Sequence, residues 1–381
     1  MKKNQIYMIH GLDYKEMTKE LLRESGLEEH LMQKRSFLKK DGKEDLDKFR
    51  IGIKPNLVSP STADWGATTH PQIVAGIIEY LQECGYTNVV MLEGSWVGDK
   101  TEEAARVCGY LELSEKYQVP FLDMQKEKGV QTDCAGVLLN ICKAALDVDF
   151  LINVPVLKGH CQTRITCALK NLKGLIPNSE KRRFHAMGLH KPIAHLNAGI
   201  RQDFIVTDNI CGDLDFEDGG HPVEMNRILA GCDPVLMDAY VCQMMHYEAE
   251  DVPYLKMAEE LNVGCADISK AQICFCRKMD VSETVFPKSR KVIEVEDLVE
   301  EVESCSACYG YLIPALNMLK EDGLLDQLPE KICIGQGFRG RTGELGIGHC
   351  TRKFRNYLDG CPPTENQIYE FLKKQILSGL H

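Results

Sequence analysis

The sequence predicts an α/β fold: a doubly wound, largely parallel sheet, followed by a C-terminal Cys/Gly-rich subdomain. Three observations predict it. Short apolar runs alternate with helical patterns from the start to about residue 270, the signature of strands joined by crossover helices. The stretches between the runs carry apolar residues at helical spacing. From Cys305 to Cys361 the pattern changes to one rich in glycine and cysteine.

Taken in order, the expected strands are QIYMIH, RIGIKPNLV, TNVVMLEGS, DFLINVPVLKGH and DFIVTDNI. HPQIVAGIIEYLQECG reads as a crossover helix with Gly85 as its stop. KAQICFCRK reads as a further strand, VSETVFPKSRK as a linker, IEVEDLVEEVES as a charged helix and TENQIYEFLKKQIL as a closing helix. A chain of 381 residues exceeds what one hydrophobic core usually supports. The predicted division is an α/β domain over residues 1–285 and a cysteine-rich, cluster-binding region with a C-terminal helix over 286–381.

Composition removes several functions. With 44% hydrophobic and 27% charged residues the chain is globular rather than disordered. A formal charge of -11 argues against broad nucleic-acid binding, which needs lysines and arginines matched to phosphates. MKKNQIYMIHG is too short and polar for the apolar stretch of a signal peptide, and nothing later approaches the ~20 apolar residues of a membrane span. The expected place is the cytoplasm, with neither nucleic acid nor membrane as a partner.

Seventeen cysteines without an export signal do not read as a disulfide framework, because the cytosol keeps thiols reduced. Metal binding is the leading alternative. Cys84, Cys108, Cys142, Cys167, Cys232 and Cys242 sit in apolar stretches and read as small hydrophobes. CSAC at 305–308 instead places two thiolates on one tight turn, where both reach one metal centre. Cys350, in GIGHCTRKF, and Cys361, in DGCPP, complete the set. Both sit in glycine-led loops, and Pro362 follows Cys361 as proline follows a ferredoxin ligand. Cys333, in EKICIGQG, is the reserve, in a strand-like context that suits a core residue.

The glycines of GQGFRGRTGELGIG expose backbone N–H groups that can approach cluster sulfides. Gly335, Gly337 and Gly340 match a dinucleotide fingerprint, but the residues after them are too glycine-rich for the required helix. Four thiolates could equally hold structural zinc. The expected cofactor is a 4Fe-4S cluster on Cys305, Cys308, Cys350 and Cys361.

In doubly wound sheets ligands bind beyond the carboxyl ends of the strands. Lys54 and Asn56 end the second run, Glu93 and Ser95 the third, Lys158 and His160 the fourth, and Asp208 with Asp213 the fifth. Thr68, Thr69 and His70 precede the first crossover helix. Thr163 is placed to cap a helix over TRITCALKNLKGLIP, whose Lys170 and Lys173 lie too close to share one helical face fully and whose first turn could bind an anion. A small anion suits these lysines and helix starts. Histidines 185, 190 and 195, near Arg183, could move protons or bind a metal.

At IKPNLV, TTHP, LINVPVLKGH, ALKNLKG and ILAGCDPVLMDA the chain resembles the family known as domain of unknown function 362, which is associated with iron-sulfur proteins. The resemblance covers about residues 50–270. It implies the α/β body and shared positions at Lys54, Pro55, Asn56, Thr69, His70, Lys158, His160, Lys170, Asn171, Gly174, Gly231, Asp233 and Asp238. Many relatives add a closely spaced cysteine run ending in CP. This chain shows CSAC and two distant cysteines, which supports a single cluster.

These readings combine into an iron-sulfur oxidoreductase that acts on a small anionic substrate and exchanges electrons with a redox partner protein. Lys158, His160 and His185 are the catalytic candidates. Lys54, Asn56, Thr69, His70, Glu93, Lys170, Asn171 and Asp208 are the substrate-binding candidates. A non-catalytic electron carrier or sensor, and an isomerase with structural zinc, stand beside that reading.

Overall fold

The structure is a computed structural model that describes residues 1–41, 48–277, 286 and 291–378. Contacts divide the chain into two compact units. The first comprises Met1–Gly159, Thr163–Lys181 and His190–Lys288; the second comprises His160–Gln162, Arg182–Leu189 and Ser289–His381.

The first unit is an α/β body on an eight-stranded sheet. Its strands lie in the order Gln272–Phe275, Gln5–His10, Pro222–Gly231, Phe204–Asp213, Phe150–Asn153, Ile51–Lys54, Val89–Glu93 and Phe121–Asp123. Pairing is parallel except on either side of Pro222–Gly231, which runs antiparallel to both neighbours. The sheet is therefore mostly parallel, with one reversed strand inside it. Ile51–Lys54 and Val89–Glu93 are buried along their whole length, as expected of parallel strands covered on both faces.

The crossover helix spans Pro71–Glu83, with Pro71 in the first turn and Gly85 at φ +83° just past its end. Ile73, Ile77 and Leu81 recur at four-residue spacing and bury in one core with Ile51, Ile53 and Val206. Residues 272–275 form the strand expected there.

Two local expectations fail. Of the two aspartates expected at the end of the fifth run, Asp213 does close the strand Phe204–Asp213, but Asp208 lies in mid-strand. Thr163 caps no helix: its hydroxyl donates to the Ile165 carbonyl at 3.0 Å. The helix opens at Ala168, and Asp238 accepts from Ala168 N at 2.7 Å and Leu169 N at 3.1 Å. A carboxylate from a distant helix displaces the local hydroxyl because it satisfies two N–H donors at once.

The second unit is built on a four-stranded, wholly parallel sheet of Val299–Glu301, Ile332–Ile334, Leu345–Ile347 and Asn356–Leu358, side by side in chain order. Val299–Glu301 falls within the segment expected to be a charged helix. Pairing of Val299 with Ile332 outweighs the helical charge pattern, and only a single 3-10 turn, Glu296–Leu298, precedes the strand. Helix Ser306–Glu321 follows the first strand, and the closing helix Glu365–Ser378 packs on it. Apart from Phe286 and Lys291, the expected linker VSETVFPKSRK lies outside the described residues.

Candidate functional site

In the second unit, parallel strands bring their carboxyl ends to one edge, and each cysteine of the predicted set follows such an end. Cys305 caps helix Ser306–Glu321 just beyond Val299–Glu301, and Cys308 lies in its first turn, its N–H donating to the Cys305 carbonyl at 2.9 Å. Cys350 sits on the 3-10 turn His349–Thr351 after Leu345–Ile347. Cys361 follows Asn356–Leu358. Their loops are joined: Gly348 N donates to Leu358 O at 2.8 Å and His349 N to Gly360 O at 2.9 Å.

Burial pushes the Cys308 thiol up, and the charges of Cys305, Cys361 and Cys350 add to that rise. Gly348 brings backbone close to the group, a Cβ there lying 4.0 Å from Cys308 Sγ. The Arg339 guanidinium hydrogen-bonds Cys350 and also feels Cys305 and Cys361, which raises it. Among the described residues, no three His, Cys, Asp or Glu side chains stand in metal-binding arrangement. The donor chemistry is nonetheless all thiol, with one cation beside it, and suits a thiolate-held centre.

His160 and His185 belong to this same unit. The Ser306 hydroxyl, between Cys305 and Cys308 in sequence, donates to Gln162 Oε1 at 2.9 Å and lies 3.4 Å from His185 Nε2. Gln162 Nε2 donates to the Ser304 hydroxyl at 3.0 Å, and its backbone N–H to His160 Nδ1 at 3.0 Å. Both histidines are thus tied, through Gln162 and Ser306, to the CSAC turn. Gln162, Ser306 and Arg339 were not singled out from the sequence, where nothing links them to the cysteines. Cys333 lies on the second strand but is half-exposed, its thiol toward Glu300, rather than a core residue.

In the first unit the strand-end residues converge, and they satisfy one another. Lys54 Nζ donates to Glu93 Oε2 at 2.5 Å and to the Pro55 carbonyl at 2.6 Å. Glu93 also accepts from Leu57 N at 3.1 Å and Gly94 N at 2.7 Å. Asn171 accepts from Asn56 Nδ2 at 3.0 Å and donates to Asn153 Oδ1 at 2.7 Å. Lys54, Glu93, Asn56 and Asn171 are all buried. Burial pulls the Lys54 ammonium down despite the opposing pull of Glu93.

Lys158 donates to the Ala67 carbonyl, to the Glu217 carbonyl at 2.6 Å and to Asn56 Oδ1 at 3.4 Å. Burial, then the charge of Lys170, pulls its pKa down to about 7. Lys181, unremarkable within NSEKRRFHA, is buried as well and donates to the Gly94 and Ser95 carbonyls at 2.9 and 2.7 Å. Thr69 donates to Val154 O and accepts from Asn56 N, both at 2.8 Å. His70 meets Asp208 twice, backbone N to Oδ2 at 2.7 Å and Nδ1 to Oδ2 at 2.9 Å. Burial opposes charge on His70, but the Asp208 carboxylate wins and lifts its pKa to about 10.

The other two histidines singled out from the sequence lie apart from the cysteines. His190 stacks on Tyr254 at 5.8 Å, and His195 Nδ1 lies 2.8 Å from the Cys134 carbonyl. Of the cysteines read as small hydrophobes, Cys108, Cys142, Cys167 and Cys242 are buried, whereas Cys84 and Cys232 are half-buried.

An α/β body with a buried polar core, together with a separate cysteine-bearing unit, defines the class of protein. A family model described as "Domain of unknown function (DUF362)" matches residues 51–243, and the chain belongs to that family. A thylakoid-associated protein of Synechocystis sp. is 24% identical over 226 residues, covering 56% of this chain and 68% of that protein. Two solved structures, each 16% identical, are similar over part of their length. The lactate racemase apoprotein of Thermoanaerobacterium thermosaccharolyticum aligns over 59% of this chain and 54% of that one, with a TM-score of 0.34. A Thermotoga maritima protein aligns over 71% and 62%, with a TM-score of 0.32. This chain thus spans about half the length of the racemase. Among the described residues no helix is long and apolar enough to cross a membrane.

Proposed function

We propose that this chain is a cytoplasmic protein holding one 4Fe-4S cluster on Cys305, Cys308, Cys350 and Cys361, and that it is a redox enzyme for a small anionic substrate. The observation that supports the reading is that the loops carrying Cys305, Cys308, Cys350 and Cys361 all follow carboxyl ends of one parallel sheet, with the Cys350 and Cys361 loops hydrogen-bonded to each other. A cytoplasmic place is supported by seventeen free cysteines, none paired in a disulfide.

When bound, the cluster would supply one-electron chemistry. Arg339 offsets thiolate charge through Cys350. His185, beside the Ser306 hydroxyl, and His160, bonded to Gln162 N, are placed to hold or pass protons near the CSAC turn. Lys158, with a pKa near neutrality, is the proton-handling group of the first unit. The Lys54 charge is already matched by Glu93 and the Lys158 donors already meet Ala67, Glu217 and Asn56, so an anion would depend on Lys170 or displace one of those bonds.

Anaerobic purification with iron, sulfide, zinc and nickel measured together, alongside an absorption spectrum, tests the proposal. About four irons and four sulfides per chain are expected. One equivalent of zinc without iron would replace the cluster with a structural site, and reducible iron without turnover of any small anion would make the protein a carrier. Absence of every metal would end the reading.

A further inference from the structure

Arg227 and Asn209 face each other across the antiparallel pair formed by Pro222–Gly231 and Phe204–Asp213. Successive residues of a strand point to opposite faces, so Asn209 lies on the face away from Asp208 and its partner His70. Arg227 and Asn209 are both 0% exposed. Among the described residues, the three guanidinium nitrogens of Arg227 and both amide atoms of Asn209 have no hydrogen-bond partner. One contact covers the guanidinium: Arg227 Cζ lies 5.0 Å from the centre of the Phe286 ring.

Such an arrangement is costly for a protein in isolation. A buried cation without a counter-charge loses its hydration and regains nothing, and a buried amide with neither bond made adds its own desolvation cost. Folded proteins pair such groups, and two orphans at directly opposed positions point to one missing partner. These buried polar atoms therefore converge on a place that a ligand of the opposite charge would satisfy.

We propose that Arg227 and Asn209 form a binding site for a small carboxylate in the first unit. The planar guanidinium fork matches a carboxylate with two parallel hydrogen bonds, and the Asn209 amide adds a further donor beside it. Stacking on Phe286 leaves the guanidinium edge for the anion. The Phe286 carbonyl accepts from His246 Nε2 at 2.9 Å, and His246 lines a cleft of about 430 Å³ with Ala239, Gln243 and Tyr247. The proposal is independent of the cluster and uses none of its residues.

Isothermal titration and thermal unfolding of the full chain, with sodium acetate as probe and sodium chloride holding ionic strength constant, test it. Acetate should bind once per chain and raise the unfolding temperature of the wild type. Arg227→Met should weaken binding by at least about 30-fold, the usual cost of truncating a buried charge partner. Without acetate it should unfold no lower than the wild type, because it removes a buried unpaired charge. Asn209→Leu, which keeps the arginine, should weaken acetate by about 10-fold, the size of one hydrogen bond to a charged group. Should Arg227→Met fail to fold, Asn209→Leu alone decides. Acetate that leaves the wild type unmoved, or binds the variants equally, overturns the site. Inorganic phosphate binding more tightly than acetate overturns the carboxylate assignment in favour of a tetrahedral anion.

Discussion

Replacing Glu93 by Gln should expose how much of the first unit depends on one ion pair. Glu93 accepts from Lys54 Nζ at 2.5 Å, Leu57 N at 3.1 Å and Gly94 N at 2.7 Å, and both members of the pair are buried. Glutamine keeps the shape but removes the counter-charge of the Lys54 ammonium, and its new amide NH2 must oppose either the Gly94 N–H or the Lys54 and Leu57 donors. Removing one partner of a buried pair costs about 3–5 kcal/mol. Deprotonation of Lys54 sets a ceiling. Releasing its proton at pH 7 from an unfolded value of about 10.4 costs about 4.6 kcal/mol, and at pH 9 only about 1.9 kcal/mol. The sign follows from proton counting: with the folded pKa depressed, the unfolded chain binds more protons at neutral pH, so the variant gains stability as pH rises toward about 10.4. Urea unfolding of wild type and Glu93→Gln at pH 7 and pH 9 measures both quantities. The double variant Lys54→Met with Glu93→Leu should cost less than Glu93→Gln alone, because no charge is stranded. A loss below about 1 kcal/mol at pH 7, or one that does not shrink at pH 9, would refute the reasoning.

Three further outcomes rest on the same geometry. Gly174→Ala would put a Cβ 2.1 Å from Glu93 Oε1 and 2.6 Å from Lys54 Nζ, so it should lower the unfolding temperature markedly, whereas Gly136→Ala, whose Cβ meets nothing within 4 Å, should suffer only from its positive φ. His70 is lifted by Asp208 to about 10, so its contribution is full below about pH 6.5 and is lost as pH rises toward 10; the stability gap between wild type and His70→Gln should narrow across that window, and a constant gap would mean that His70 is neutral in the folded chain. Cys350→Ser should lose most of its iron on anaerobic purification while Cys333→Ala, half-exposed on its strand, keeps it; equal iron in both would remove Cys350 from the set.

The α/β body was legible because its strands are short apolar runs closed by turn residues, and its crossover helix announces itself by four-residue apolar spacing and Gly85. The parts that were not legible depend on pairing between distant segments. The strand Val299–Glu301 has acids on both sides and reads as a helix until Ile332–Ile334 is placed beside it. Asp238 caps Ala168 from 70 residues away, so local sequence favours Thr163 instead. Lys181 lies in a run of charges that resembles a solvated helix face, and only the fold shows it bonded to Gly94 and Ser95. Arg227 sits in a strand whose alternation gives no sign that it points inward.

The two cysteines separated from CSAC by some forty and fifty residues look scattered along the chain, yet the parallel arrangement makes their separation necessary. Each strand of the small sheet must return to the same starting edge before the next begins, so loops that meet at the opposite edge are spaced by a full return. Helix Ser306–Glu321 makes the first return, and shorter connections through the turns Gln336–Phe338 and His349–Thr351 make the others. The loop after the second strand contributes Arg339 rather than a cysteine, and those after the first, third and fourth contribute the sulfurs. A compact ferredoxin-like run places its ligands on one loop, where a single loop movement would displace several at once. Here three loops hold the sulfurs, two of them tied by Gly348 N to Leu358 O and His349 N to Gly360 O, so their spacing is set by the sheet register rather than by loop conformation. Shifting that register, by inserting one residue between Ile347 and Cys350, should therefore release iron while leaving the eight-stranded body folded, which separate monitoring of iron content and far-ultraviolet circular dichroism would show.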